Sequence, residues 1–365
     1  MKLKIEKGEL QKKVALASSA ISQKVSMPIL TKMVIVAEND EISLHGTDLS
    51  MGVVASVDGE VLEGGRIAVE SKVFTDVVKK MPEGTLTVKT DEDGNVVVSN
   101  GKVRLKLSCA DAENYPYMEF HDMETVALVK ECELKNALKS VLFSLATDAS
   151  DKKMTGAHLV IQDKDLTLTC LDGHRIAIFK LTIEQPVAQM IDCIVPGLFL
   201  GKLQSMLSTK EEPVAISISN THIQFKINGA VFTSRLIEGS YYNVGQMIAV
   251  DAKIRMRINK TDFLDAVDRA SLFVNEGDNK PVILDITDTL RISIKAACGQ
   301  MEEVVDAEKE GDEKPLRIGF NPRFILESVG KIDDEDISIE VSGPKTPCVI
   351  RGEEYLYLVL PVNIH

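Results

Sequence analysis

A threefold repeat constrains this chain more than any other feature. The segments LKIEKGELQKKVALASSAI, ALVKECELKNALKSVLFSLA and MRINKTDFLDAVDRASLFV each pass from alternating residues into an amphipathic helix, with Leu10, Leu134 and Phe263 equivalent. A second helical unit follows each: VESKVFTDVVKKM, VPGLFLGKLQSML and IGFNPRFILESVG, with Phe74, Phe199 and Phe324 equivalent. Alternating strands lie between the helices (EISLHGTDL, DLTLTCLDG, LRISIKAAC). More follow the second helix: TLTVKT with NVVVSN, VAISIS with HIQFKI, and ISIEVS with CVIRGE. Each match is loose alone; their common order and near-constant spacing make chance a poor explanation. Three domains are expected, 1–124, 125–250 and 251–365.

Each copy reads as α+β, a two-layer domain with two helices on antiparallel sheets. Turns such as Glu92-Asp93-Gly94-Asn95 and Asp163-Lys164-Asp165 join period-two strands. In the first helix Leu10, Val14, Ala17 and Ile21 share one face, and Lys12, Ser19 and Gln23 lie roughly opposite. Ser71 is placed to cap the second helix of copy one, and Asn321-Pro322 to start that of copy three.

Repetition also raises the question of assembly. If the sheets of successive copies join edge to edge, all helices fall on one side of a curved chain. Packed helices lie about 10 Å apart, so six in a closed circle leave almost no hole. Twelve, from two chains joined head to tail, leave a hole of roughly 28 Å. B-DNA, whose groove depths sum to about 16 Å, fits through it.

The charge balance needs reconciling with that. Against 42 Lys and Arg stand 55 Asp and Glu, a net charge of −13. Phosphate binding needs cations, but local distribution decides, not the average. Basic residues fall on the expected helices: Lys12, Lys13, Lys79, Lys80, Lys135, Lys139, Lys202, Arg269, Arg323 and Lys331. Acidic runs fall in expected loops, 308–313 and 333–336, although Asp262, Asp265 and Asp268 make one helix an exception. The six cysteines are dispersed, without C-x-x-C, and several sit in apolar runs as reduced buried thiols do; no structural zinc is expected. No apolar run reaches the roughly 20 residues of a membrane span, and MKLKIEKGEL is not a signal sequence, so a cytoplasmic protein is expected.

Pro28-Ile29-Leu30, Gly46-Thr47-Asp48-Leu49, Leu171-Asp172-Gly173-His174-Arg175, Arg235-Leu236-Ile237-Glu238-Gly239-Ser240-Tyr241 and Leu358-Val359-Leu360-Pro361-Val362 occur in an order and spacing that resemble the bacterial sliding clamps, the beta subunits of DNA polymerase III, from end to end. The resemblance implies a head-to-tail homodimer forming a six-domain ring, with helices lining a central channel around duplex DNA. Such a ring is a processivity factor for DNA replication, without catalytic activity or cofactor. Its implied partners are the DNA polymerase III catalytic subunit, the clamp loader and other replication and repair proteins bearing short clamp-binding motifs. It places Lys24, Lys152 and Lys153 at the DNA, beside the helix cations Lys12, Lys79, Lys80, Lys139, Lys202 and Arg269. It places Lys72, Lys102 and Arg104 of copy one against Leu272, Phe273, Glu302 and Glu303 of copy three at the dimer interface; Leu272 and Phe273 are adjacent on one helix. Opposite charges around an apolar pair suit that contact.

The run LTLTCLDGHRIAIF has two readings. Asp, His and Arg together suggest acid–base chemistry; Asp-Gly between alternating apolar runs suggests a hairpin with a type I′ turn. Asp48 of copy one matches Asp172, which makes the Asp part of the scaffold, whereas His174-Arg175 occurs in copy two alone. No nucleophile with a base and no metal-ligand set is near in sequence, which favours binding over catalysis. The resemblance implies a peptide groove between copies two and three, lined by Met154, Leu171, His174, Arg175, Ile176, Tyr242, Met247, Leu358, Leu360, Pro361 and Val362, for motifs bearing Gln and apolar residues. Tyr242 stands where the family usually has Pro, and Asn363 where a basic residue is common. The alternative is a non-catalytic dimeric repeat scaffold that does not encircle DNA.

Overall fold

The computed structural model describes all residues except 23–26, 119–122, 149, 250, 275–279, 313 and 365. Lys24 therefore lies outside the described residues. Seven α-helices occur among them: α1 (Lys7–Ser18), α2 (Ser71–Lys80), α3 (Glu131–Val141), α4 (Gly197–Met206), α5 (Val244–Ile248), α6 (Lys260–Ser271) and α7 (Pro322–Val329). Six are the paired helices of the three repeats. The short α5, in the segment after the second repeat, has no counterpart in the sequence reading.

The chain forms two compact units, residues 1–132 with 202–236 and residues 133–201 with 237–365. The middle repeat is divided between them. The first unit holds a five-stranded and a nine-stranded sheet, the second a nine-stranded and a four-stranded one, with antiparallel pairing throughout. Each nine-stranded sheet is built from two repeats. In the first unit strand Met51–Val57 pairs with Ala230–Arg235, with Met51 opposite Ser234 and Ala55 opposite Ala230. In the second, Arg175–Thr182 pairs with Tyr355–Val359, with Arg175 opposite Val359 and Phe179 opposite Tyr355. Counted from the hairpins that precede these strands, the two registers are the same.

The local causes are legible. In copy one, Leu10, Val14 and Ala17 of α1 bury with Phe74 and Val78 of α2 against Leu3, Ile35, Leu44, Leu86 and Val98 of the strands. Full burial of such a side chain is worth about 1.5–3 kcal/mol. Gly46 permits a close approach: a Cβ there would sit 2.2 Å from the carbonyl oxygen of Ala17, so α1 lies directly on the strand. Asn321 caps α7, accepting from the Arg323 N–H at 3.0 Å, with Pro322 opening the helix. The turn at residues 92–95 forms as expected, with Gly94 at φ +78°.

Six expectations are corrected. The acidic run 308–313 is not a loop: most of it lies in the edge strand Ala307–Gly311, paired with Ile254–Asn259. Helix α1 ends at Ser18, so Ser19 and Ile21 lie past it. Ser71 is not a cap: it is the first residue inside α2, buried, and its carbonyl accepts from the Thr75 hydroxyl. The helices α2, α4 and α7 begin at Ser71, Gly197 and Pro322, so Phe74 matches Leu200 and Ile325, and Phe199 and Phe324 sit one place earlier. Helix α6 ends at Ser271; Leu272 caps it and Phe273 lies beyond, so the pair is not within a helix. Lys331 lies past the end of α7.

One titrating group is built into the first unit. The His45 ring meets Tyr117 edge-on at 5.5 Å, and its Nε2 lies 2.9 Å from the Ser43 hydroxyl. Burial, then the nearby Arg66 charge, pulls its pKa down from 6.5 to about 4. Arg66 itself pairs with Glu38 at 2.5 and 2.8 Å. The folded ring is thus neutral where an unfolded His binds a proton. Stability from this group is complete above pH 6.5 and falls as pH drops toward 4, by up to about 1.4 kcal/mol per pH unit. Urea-unfolding midpoints between pH 7 and 4 should show this slope, and His45→Asn should flatten it.

Candidate functional site

The hairpin after strand Asp165–Leu171 turns on Gly173, at φ +87°. Asp172 Oδ1 accepts from the backbone N–H of His174 (2.9 Å) and of Arg175 (3.0 Å). Asp48 does the same in copy one, accepting from Ser50 and Met51 at 3.0 Å, with Leu49 at φ +73° in place of Gly173. The Asp is a scaffold residue, as the repeat comparison requires. The turn is not type I′: positive φ occurs at Gly173 alone, the first loop residue, because the Asp172 side chain already fixes the two N–H groups that follow.

Arg175 turns inward. It is only 8% exposed. Its Nε donates to Asp172 (2.9 Å), Nη2 to the Phe143 carbonyl (2.6 Å) and Nη1 to Glu327 of α7. The guanidinium lies 5.3 and 4.6 Å from the ring centroids of Phe143 and Phe324. Burial pushes the Glu327 carboxyl up, but hydrogen bonds from Arg323 and Arg175 outweigh it and hold it below its ordinary value. Arg175 is thus a clasp between the end of the α3 segment and α7, with each of its three nitrogens donating inside the protein. His174, beside it, stacks on Phe324 with centroids 6.0 Å apart.

Next to this clasp lies an apolar row. Leu171, Ile176, Leu358 and Val349 stand directly opposite one another across four adjacent strands. Met154, Tyr241, Tyr242, Val244 and Ile248 pack on this row, together with Ile178 and Leu356. The structure therefore brings together Leu171, Ile176, Leu358, Met154 and Tyr242 of the expected groove. Met247 is exposed on α5; Leu360 is held by its N–H to the His174 carbonyl (2.8 Å), and Val362 by its N–H to Gly319 (2.8 Å). Pro361 lies between them, half-buried. Sequence reasoning missed Ile178, Val244, Val349, Tyr241, Ile248 and Leu356. The period-two step from Ile176 signals Ile178; no local signal points to Val349, which the sheet register alone brings opposite Leu358.

The equivalent row at the other join reads Thr47, Gly52, Thr233 and Gln224. The same backbone frame thus carries an apolar row once per chain. At the mouth of the apolar one, Asp151 accepts from the Tyr242 hydroxyl at 2.5 Å, and Lys153 Nζ lies 4.9 Å from the Tyr242 ring centroid. That hydrogen bond is the main cause raising the Tyr242 pKa to about 12. Lys153 also stands 3.4 Å from Asp151, while Lys152 is exposed. A concavity of about 380 Å³ on the last repeat, lined by Arg255, Arg257, Arg351, Glu308, Glu310 and Asp336, lies elsewhere, and its arginines are already paired with Asp336 and Glu340.

Of the helix cations, Lys12, Lys79, Lys80 and Lys139 are exposed with no carboxylate in ion-pair reach among the described residues. Lys202 lies 3.7 Å from Asp48, and Arg269 donates twice to Glu303, at 2.9 and 2.5 Å. Lys72, Lys102 and Arg104 are exposed; Glu302 pairs with Arg291 at 3.0 Å. Leu272 is 79% exposed, and the Phe273 ring covers Gly299, where a Cβ would sit 2.8 Å from it. The six cysteines are free thiols; Cys170 and Cys348 are buried, Cys298 exposed. No helix among the described residues is long and apolar enough to cross a membrane.

Three family models tile this architecture: the N-terminal, central and C-terminal domains of the DNA polymerase III beta subunit match residues 1–119, 128–243 and 246–362. The chain belongs to the DNA polymerase III beta subunit family, and its three domains are clamp domains of mixed α and β structure. It is 29% identical over 380 residues to the beta sliding clamp of Bacillus subtilis (strain 168), with all of both chains covered. A crystal structure of a putative DNA polymerase III beta subunit from Eubacterium rectale ATCC 33656 is 33% identical, covering 100% of this chain and 99% of that one with a TM-score of 0.96. The DNA polymerase sliding clamp of Bacillus subtilis superposes with a TM-score of 0.95 at 28% identity, over the whole of both chains.

The Arg175 clasp generates a direct test. Arg175→Ala removes the donor shared by Glu327, Asp172 and the Phe143 carbonyl; Arg323 still serves Glu327 and two backbone N–H groups still serve Asp172, so the cost is about 1.5–3 kcal/mol, that of a lost hydrogen bond to a charged group. Chemical denaturation should show that loss, and Arg175→Lys, which cannot fork to three partners, should recover little of it.

Proposed function

We propose that this chain is a DNA sliding clamp: two copies close head to tail into a ring around duplex DNA and hold a polymerase on it. The observation that carries the reading is the shared register of the two joins between repeats. The strand playing the part of Met51–Val57 and Arg175–Thr182 in the third repeat is Gly299–Val305, an edge strand. The strand playing the part of Ala230–Arg235 and Tyr355–Val359 in the first repeat is Val103–Leu107, also an edge. Each chain thus keeps one edge of each kind, and the same rule joins them between two chains.

Transferring the register sets Gly299 opposite Leu107 of the partner subunit and Glu303 opposite Val103 of the partner subunit. Glu302 then faces Arg104 of the partner subunit, and Met301 faces Leu105 of the partner subunit. The exposure of Leu272 fits as well. Its counterpart in the second repeat is Phe143, whose ring packs edge-on against Tyr357 at 5.6 Å. Tyr357 corresponds to Leu105, itself 37% exposed. Two exposed leucines are therefore accounted for by one contact. The three domains are taken as 1–124, 125–250 and 251–365.

The ring acts without catalysis or cofactor, in the cytoplasm. Exposed Lys12, Lys79, Lys80 and Lys139 supply cations for phosphates, with Lys24 and Lys152 joining them. The apolar row takes short linear motifs of the polymerase catalytic subunit, the clamp loader and repair proteins in turn. Many partners sharing one groove means competition, for which a Met-containing wall is suited.

Two measurements test this. Glu302→Arg should weaken the dimer at least tenfold by sedimentation equilibrium, through like charges at the join, and Arg104→Glu in the same chain should restore it; a dimer indifferent to both would refute the register. Loaded onto nicked circular DNA by its loader, the protein should stay bound through gel filtration and escape when the circle is cut. Retention on linear DNA would mean adhesion, not encirclement.

A further inference from the structure

We propose that Asp151, Lys153 and Tyr242 form a latch that fastens the two irregular walls of the apolar groove to each other, and so act as positioning residues for peptide binding. The proposal rests on the reading of that groove as a peptide site. The groove has a rigid floor, the row Leu171, Ile176, Leu358 and Val349 held by strand pairing. Its walls are different. One is the short helical turn Lys152–Thr155, which carries Met154; the other is the irregular segment leading from Tyr241 into α5. Neither wall is a strand of the sheet.

A single carboxylate bridges them. Asp151 Oδ1 caps the turn by accepting from the Lys153 N–H at 3.1 Å. Its Oδ2 accepts from the Tyr242 hydroxyl on the opposite wall at 2.5 Å. Lys153 closes the triangle, with Nζ 3.4 Å from Oδ2 and 4.9 Å from the centroid of the Tyr242 ring. Tyr242 is in turn set edge-on to Tyr241, which stacks on His158 of a core strand with centroids 4.6 Å apart. The tyrosine pair thus ties the latch to the sheet.

Two consequences follow for a ligand. Walls already fixed in the free protein spare a peptide the ordering of both segments, which otherwise subtracts from affinity. The ionised Asp151 and Lys153 compensate one another, so an apolar peptide side chain resting on Met154 and the Tyr242 ring meets no unpaired charge. Lys153 is by this argument part of the groove mouth, not of the DNA-contacting surface.

The test measures binding of a fluorescein-labelled pentapeptide, holding one Gln and otherwise apolar residues, to the full-length protein by anisotropy and stopped flow. Tyr242→Phe keeps the ring and removes the hydroxyl; it should weaken binding about fivefold to tenfold, mainly through faster dissociation. Asp151→Ala, which also removes the cap on the Lys153 N–H, should lose at least as much, and the double variant should lose no more than Asp151→Ala alone, because the hydroxyl then has no acceptor left to lose. Asp151→Asn, which keeps the acceptor, should recover part of the loss. Leu360→Asp serves as the control for the groove itself and should abolish binding. If Leu360→Asp abolishes binding while Tyr242→Phe binds as the unchanged protein does, or the two latch losses simply add, the latch is refuted and the groove stands. If Leu360→Asp binds normally, the peptide reading fails and the latch proposal with it.

Discussion

Antiparallel pairing of one repeat's strand with the next repeat's strand is the interaction on which the rest of this molecule depends. Met51–Val57 on Ala230–Arg235, and Arg175–Thr182 on Tyr355–Val359, turn three modest domains into two continuous nine-stranded sheets. Main-chain hydrogen bonds hold the pairing whatever side chain stands at a given place, while the hairpin turns and the buried faces set the register, which leaves single positions free to diverge. Arg175 and Met51 occupy the same place in the frame, yet one is a buried clasp to Phe143 and Glu327 and the other an apolar core residue.

That freedom explains how a repeated scaffold carries a function once. The row crossing the second join is Leu171, Ile176, Leu358 and Val349; the row crossing the first is Thr47, Gly52, Thr233 and Gln224. Replacing Thr, Gly, Thr and Gln by four branched apolar residues makes an apolar floor at one join and none at the other. The scaffold Asp, present as both Asp48 and Asp172, pins the hairpin at each.

Much of this was legible in the sequence because period-two strands and helical faces are local. The repeat, the helices at Leu10, Leu134 and Phe263, the hairpin role of Asp172 and the cap at Asn321 all depend on neighbours in the chain. What sequence missed depends on distant partners. Arg175 finds Glu327, and Tyr242 finds Asp151, only after the sheet has formed. Val349 joins the groove through register alone. Ser71 failed as a cap because the strand runs straight into α2 and buries it, and the weak match of the second helices hid a one-residue offset at Phe199 and Phe324.

The two edge strands carry a further consequence for a newly made polypeptide. Val103–Leu107 is bordered and interrupted by Lys102, Arg104 and Lys106, whereas Gly299–Val305 holds Glu302 and Glu303. An open strand edge is a template for fibrous growth, and proteins guard such edges with charge. Here the guard is sorted by sign, so each edge repels its own kind. A protomer just off the ribosome is thereby shielded from stacking like upon like, while the unlike edge stays welcome.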